Sequence, residues 1–214
     1  MKKIVLIGDS IRMGYDKYVK EALDGVAEVY YPPENCRFSQ YVLRYLHDWK
    51  ANGEWPDDVD LVHWNAGLWD ALELFGDEPL STLEHYADMI GRIDRRIRLL
   101  FPKAKVIFAT STAIREEGYK ETFRRHNAII ERYNATALEV LSHTDTAIND
   151  LYAHTVNAPA ECCSDMTHYN TPKGAAYMGG KVLSVLCPAL DISASEVKVE
   201  GFQLENYSAS NIGY

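Results

Sequence analysis

Apolar residues fall along this chain in short blocks of two alternating kinds. Compact runs rich in β-branched and aromatic residues read as strands: Lys3 to Ile7, Val26 to Tyr31, Asp60 to Trp64, Lys105 to Thr110 and Thr144 to Ile148. The second of these closes on Pro32-Pro33, and the third is continuous and apolar apart from His63. Between the runs lie segments with helical character. They span Asp16 to Leu23, Ser39 to near Lys50, Ser81 to near Leu100, Glu121 to near Leu141, and Pro172 to near Cys187-Pro188. In the second helix Tyr41, Val42, Tyr45, Leu46 and Trp49 share helical spacing, and Ser39 is a candidate N-cap. Ser81 followed by Glu84 matches a capping box. Pro172 after Thr171 suits a first helical turn.

Repeated strand–helix alternation argues for a parallel sheet covered by helices on both faces. In such sheets ligands sit at the carboxyl ends of the strands. Ser10, Asn65, Thr110-Ser111 and Asp150 all follow strands at that edge. Residues 188–214 differ from the rest: Ser, Ala, Asn and Glu are common, with a possible strand at Val197 to Leu204. We read residues 1–187 as one domain and 188–214 as an extension that packs on it or on a neighbouring subunit of a homo-oligomer.

The first strand breaks into Gly8-Asp9-Ser10, a tight turn that presents a hydroxyl. Far along the chain, Asp165-Met166-Thr167-His168 sets a carboxylate and an imidazole three residues apart. A serine, a base and a group that orients the base are the parts nucleophilic acyl transfer requires. The plainer alternative is an N-capping serine and a solvated loop. Together the two blocks resemble the SGNH (GDSL-type) hydrolase family, over about residues 3 to 187. Gly8-Asp9-Ser10-Ile11 is similar to its first block and Asp165-x-x-His168 to its last.

That resemblance implies a three-layer α/β/α, flavodoxin-like fold with a central parallel sheet. It implies a serine esterase with Ser10 as nucleophile, His168 as base, Asp165 as orienting carboxylate, and no cofactor. It further implies an oxyanion hole of three donors. One is the Ser10 N–H. The second block falls at Glu34-Asn35-Cys36-Arg37, where Cys36 replaces the usual glycine and would offer its backbone N–H. The third block aligns with Gly67-Leu68-Trp69-Asp70, which puts Trp69 where asparagine is usual. Asn65, at the end of the preceding strand, is the better candidate for the donor, with a turn-holding role as its alternative.

Other polar residues carry two readings each. Arg12 and Arg37 either hold the first and second blocks or meet a polar substrate. Asp150 either lines the pocket or makes an Asx turn. His63 on an apolar strand reads as a core histidine. Cys162, Cys163, Asp165 and His168 cluster in sequence, but their spacing fits no standard zinc site, so no metal is expected. There is no glycine-rich nucleotide motif.

Composition narrows the partners. The chain has 214 residues, 47% apolar and 25% charged, enough for one α/β domain. A net charge of −9 argues against nucleic acid and against anionic membranes. No apolar run approaches the length of about 18 residues expected of a membrane span. Only four apolar residues follow Lys2-Lys3, so no signal peptide is read and a cytoplasmic location is expected. The four cysteines then suggest no disulfide framework, and the sequons at Asn134 and Asn206 have no bearing.

The expected substrate is a small-molecule ester, with a small acyl group on a carbohydrate preferred. Aromatic residues in the loops (Trp64, Trp69, Tyr119, Tyr152, Tyr169) tilt toward sugars or acyl chains, and no lid-like apolar insertion suggests long lipids. The alternatives are a lipase or thioesterase of the same family, a catalytically silent carbohydrate-binding or scaffold domain, and a metal-dependent hydrolase built on the Cys162–His168 cluster.

Overall fold

The computed structural model describes residues 1–198. Five parallel strands form one sheet in the order β2-β1-β3-β4-β5: β1 (Lys2–Ile7), β2 (Ala27–Tyr30), β3 (Leu61–Trp64), β4 (Lys105–Ala109) and β5 (Ala147–Asn149). Ile4 to Ile7 of β1 and all of β3 are buried, as strands sandwiched between helical layers must be. The helices are α1 (Ser10–Ala22), α2 (Ser39–Asn52), α3 (Leu83–Leu100), α4 (Asn127–Leu141), the short α5 (Leu151–Thr155) and α6 (Pro172–Ala189). Helix α1 packs against α6, while α2, α3 and α4 pack in series. Right-handed crossovers put these two groups on opposite faces, which gives the expected three-layer α/β/α architecture.

The strands lie where the hydrophobic pattern predicts, to within a few residues. The helix starts differ, and each for a physical reason. Helix α1 begins at Ser10, not near Asp16, because the Asp9 carboxylate caps it by accepting from the Ile11 N–H at 3.0 Å. Helix α2 has Phe38 at its N-cap, and Ser39 does not cap it. Asp70, from the distant β3–α3 loop, takes the Ser39 N–H at 3.0 Å and the Ser39 hydroxyl at 2.6 Å. Asp70 also accepts from the Ser81 hydroxyl at 2.8 Å. Ser81 is therefore diverted, the Ser81–Glu84 capping box does not form, and Thr82 caps α3 through the His85 N–H. One buried carboxylate thus anchors the starts of two helices.

Helix α4 begins at Asn127, not at Glu121. Residues before it instead form isolated antiparallel bridges, Glu73 with Arg124 and Lys120 with Phe123. Beyond α6, Leu190 and Ile192 are buried, and the Lys198 N–H donates to the Ala22 carbonyl at 2.7 Å. Residues 190–198 therefore lie on the body, beside the end of α1. The strand expected at Val197 to Leu204 lies, from Val199 onward, outside the described residues. No helix among the described residues is long and apolar enough to cross a membrane.

Replacing Asp70 by Ala would strand the Ser39 N–H and two hydroxyls in the interior. Asp70→Ala is expected to lower unfolding free energy by about 3 kcal/mol or more, measured by urea denaturation. Ser81→Ala removes only one donor and should cost about 1 kcal/mol.

Candidate active site

In a sheet of order 2-1-3-4-5 the connections leave β1 and β3 in opposite directions, opening a crevice at their carboxyl ends. Ser10 stands at that point, as the first residue of α1 immediately after the β1 turn. The residue is only 5% exposed. Its Oγ lies 2.8 Å from His168 Nε2, and His168 Nδ1 lies 2.8 Å from Asp165 Oδ2. A carboxylate only accepts, so Nδ1 must carry the proton, and Nε2 is left to accept from the serine hydroxyl. Sequence separation of 158 residues between Ser10 and His168 is closed by the fold alone.

The His168 loop is held rigidly. Asp165 Oδ1 accepts the N–H groups of Thr167 (2.7 Å) and His168 (2.8 Å). Burial opposes ionisation of Asp165. The His168 hydrogen bond and these two amides outweigh it and hold the carboxyl well below the usual carboxylate range. The Ser164 N–H donates to the His168 carbonyl at 2.9 Å. The β4–α4 loop braces the same segment: Arg115 N–H donates to the Met166 carbonyl, the Arg115 guanidinium to the Asp165 carbonyl, and Tyr119 bonds the Thr167 hydroxyl. That loop is itself held by two asparagines of α4. Asn134 bridges the N–H and carbonyl of Ser111 (2.8 and 3.0 Å), and Asn127 does the same for Ile114 (both 2.9 Å). Tyr169 donates its hydroxyl to the Ala113 carbonyl at 2.7 Å.

Solved structures share this architecture. A lipase/acylhydrolase from Enterococcus faecalis superposes with a TM-score of 0.68 at 21% identity, over 87% of this chain and 95% of that one. A GDSL-like lipase from Bacteroides thetaiotaomicron gives 0.68 at 16% identity, over 88% and 89%. An acetyl xylan esterase gives 0.66 at 16% identity, over 86% and 99%. The fold is that of the SGNH (GDSL-type) hydrolases. No protein-family model and no curated protein matches the chain.

Within this SGNH fold the candidate oxyanion donors are not all available. Ser10 is the first residue of α1, where backbone N–H groups lack intrahelical acceptors. Asn65 packs directly on the Gly8–Ser10 turn: its Nδ2 donates to Asp9 Oδ1 at 3.2 Å, leaving its second N–H. A Cβ on Gly8 would come 2.0 Å from Asn65 Oδ1, so the approach requires glycine. The expectation for Cys36 fails. Its N–H donates to the Gly8 carbonyl at 3.2 Å, and its side chain is fully buried, with burial raising the thiol to about 11. The Trp69 ring lies 5.9 Å from the Arg125 guanidinium carbon.

The proposed substrate contacts are also redistributed. Arg12 is 1% exposed and is spent on Asp16, the Gly8 carbonyl and the Glu34 carbonyl, so it holds the first and second blocks together and does not face substrate. Arg37 is exposed, adopts φ 51° and lies 4.9 Å over the Tyr41 ring. Asp150 caps α5, accepting from Ala153 N–H and the Thr110 hydroxyl at 3.0 Å each, which is the Asx-type role. Trp64 packs in the core against Phe108. His63 is buried, bonds Asn149, and burial pushes its imidazole down to about 3. Cys162 is buried in a 3₁₀ turn and Cys163 Sγ donates to the Pro159 carbonyl. Among the described residues no group of three or more His, Cys, Asp or Glu is disposed to hold a metal ion.

Two features escaped the sequence reading. A cleft of about 330 Å³ lies beside the triad, with Tyr119, Lys120 and Phe123 facing Asp165, Met166 and His168. Next to its Phe123 wall, 5.2 Å from that ring, is Arg125, 4% exposed, with Nε donating to the Leu68 carbonyl at 2.6 Å. Its neighbour Arg124 is exposed, so the pair reads in sequence as an ordinary solvated helix face.

Gly8→Ala tests the close approach of Asn65. The clash is expected to cost about 1–3 kcal/mol, lowering Tm by about 2–10 °C, measured by calorimetry.

Proposed function

We propose that this chain is a serine ester hydrolase that works through an acyl-enzyme. The observation that carries this reading is the unbroken hydrogen-bonded series Ser10–His168–Asp165, both links at 2.8 Å, with the serine at a helix N-terminus. The names of the similar structures, a lipase/acylhydrolase and an acetyl xylan esterase, point the same way.

In this reading Ser10 Oγ attacks the ester carbonyl while its proton passes to His168 Nε2. Asp165 stabilises the imidazolium through Nδ1 without itself taking a proton. The Ser10 N–H, helped by the α1 dipole, and the Asn65 side chain stabilise the oxyanion. Collapse of the tetrahedral species breaks the bond to the alcohol, which leaves with the His168 proton. Water, deprotonated by His168, then attacks the acyl-enzyme, and Ser10 departs protonated as the acid is released.

A small acyl group on a carbohydrate is the substrate we favour. The nucleophile is 5% exposed, which suits a short acyl chain. The Tyr119 and Phe123 rings beside His168 suit a sugar face or a compact acyl group.

Turnover of 4-nitrophenyl acetate is expected to fall by at least about 10³-fold in Ser10→Ala and to decline as the acyl chain lengthens to octanoate. Equal turnover in wild type and Ser10→Ala would remove the serine mechanism and favour a silent binding domain. Asn65→Ala should lose about 10²-fold in kcat, whereas Trp69→Ala should act on KM or stability. The reverse ranking would reassign the oxyanion donor.

A further inference from the structure

Arg125 is a charge that the fold buries without an ion pair: Asp9 and Asp165 are near enough to favour its charged form, but neither pairs with it. Its guanidinium donates to the Leu68 carbonyl at 2.6 Å, and the Tyr119 hydroxyl lies beside it. The rings of Trp69 and Phe123 lie 5.9 and 5.2 Å from its central carbon. Among the described residues no Asp or Glu forms an ion pair with it. Arg12, equally buried, is neutralised by Asp16. An unpaired buried cation is costly to keep, and desolvation accordingly lowers its proton affinity. A guanidinium carries five N–H donors, more than a carbonyl and a phenol take up.

The surroundings say where the missing partner would come from. Tyr119 and Phe123, which touch Arg125, also line the cleft beside Asp165 and His168. Lys120 is the cation on the cleft itself, opposite Asp165.

We propose that Arg125 is a specificity residue that reads a carboxylate carried by the ester substrate. The carboxylate belongs either to an acylated sugar acid or to the far end of a dicarboxylic acyl group. This inference rests on the esterase reading above and sharpens its substrate class. The Leu68 bond fixes the fork at Nε and the flanking rings restrict its plane, so the remaining N–H groups are pre-organised for bidentate recognition. A neutral ester leaves the guanidinium unpaired, which is how a polar site rejects an analogue.

Two matched pairs separate the sources: 4-nitrophenyl acetate against mono-4-nitrophenyl succinate, and acetylated glucose against acetylated glucuronate. The quantity read is kcat/KM for the anionic ester divided by that for the neutral one. For one pair it should reach about tenfold or more in wild type and fall by about tenfold in Arg125→Gln and Arg125→Lys, chiefly through KM. A wild-type ratio near one in both pairs overturns the proposal, and this holds even if the variants fail to fold. So does a ratio unmoved in a folded Arg125→Gln. Binding to Ser10→Ala, followed by tryptophan fluorescence with Trp69 as the local reporter, is independent of chemistry. If the wild type hydrolyses no ester, saturable binding of succinate or glucuronate but not glucose keeps Arg125 as a carboxylate site and discards the esterase reading. Under the same condition, absence of that binding overturns both.

Discussion

The carbonyl oxygen of Gly8 is the point on which the site converges. It accepts from the Cys36 N–H at 3.2 Å and from Nε and Nη2 of Arg12 at 3.4 Å each. The same Arg12 donates onward to the Glu34 carbonyl. Asn65 Oδ1 occupies the space that a Cβ on Gly8 would need. Two loops that are distant in sequence, after β2 and after β3, are therefore indexed together with α1 to one peptide unit, two residues before Ser10. Because Gly8 has no side chain, all three can crowd there. The serine hydroxyl is aimed by a framework of backbone and buried side chains in place of a flexible loop.

That framework carries an electrostatic cost. Burial raises the carboxyls of Asp9, Asp16 and Asp70 toward protonation, against the hydrogen bonds and cations that favour the charged form. A raised carboxyl favours the folded state at low pH and loses that contribution as pH rises through the folded value. Asp165 works in the opposite sense. Its depressed carboxyl favours the folded state above the ordinary carboxylate range and loses that contribution as pH falls through its folded value. The interior anions organise backbone, while the partly exposed Asp165 is kept ionised beside the imidazole.

What could be read from the sequence was local. Strand β1, the Gly8-Asp9-Ser10 turn, the apolar runs of β3 and β4 and the spacing of Asp165 and His168 all rest on neighbours a few residues apart. What could not be read was set by tertiary partners. Asp70 reaches across 31 residues to cap α2 and diverts Ser81 from capping α3. Cys36 lost its candidate role because the Gly8 carbonyl claims its N–H, a pairing that no spacing rule contains. Arg12 took the holding role that was one of its two readings, whereas Arg125 looks like a surface cation in the sequence and only packing makes it interior. Asp150, by contrast, kept the local Asx chemistry its type suggests.

The two asparagines of α4 each offer one acceptor and one donor to the loop that braces His168. Hydrolysis of either side-chain amide during ageing would replace the donor with a carboxylate oxygen facing a backbone carbonyl. The hydrophobic core would be untouched, yet the brace would be pushed away from the Arg115–Met166 contact. Slow covalent damage in a helix that supplies none of Ser10, Asp165 and His168 would thus reach the Ser10–His168–Asp165 series through the loop alone.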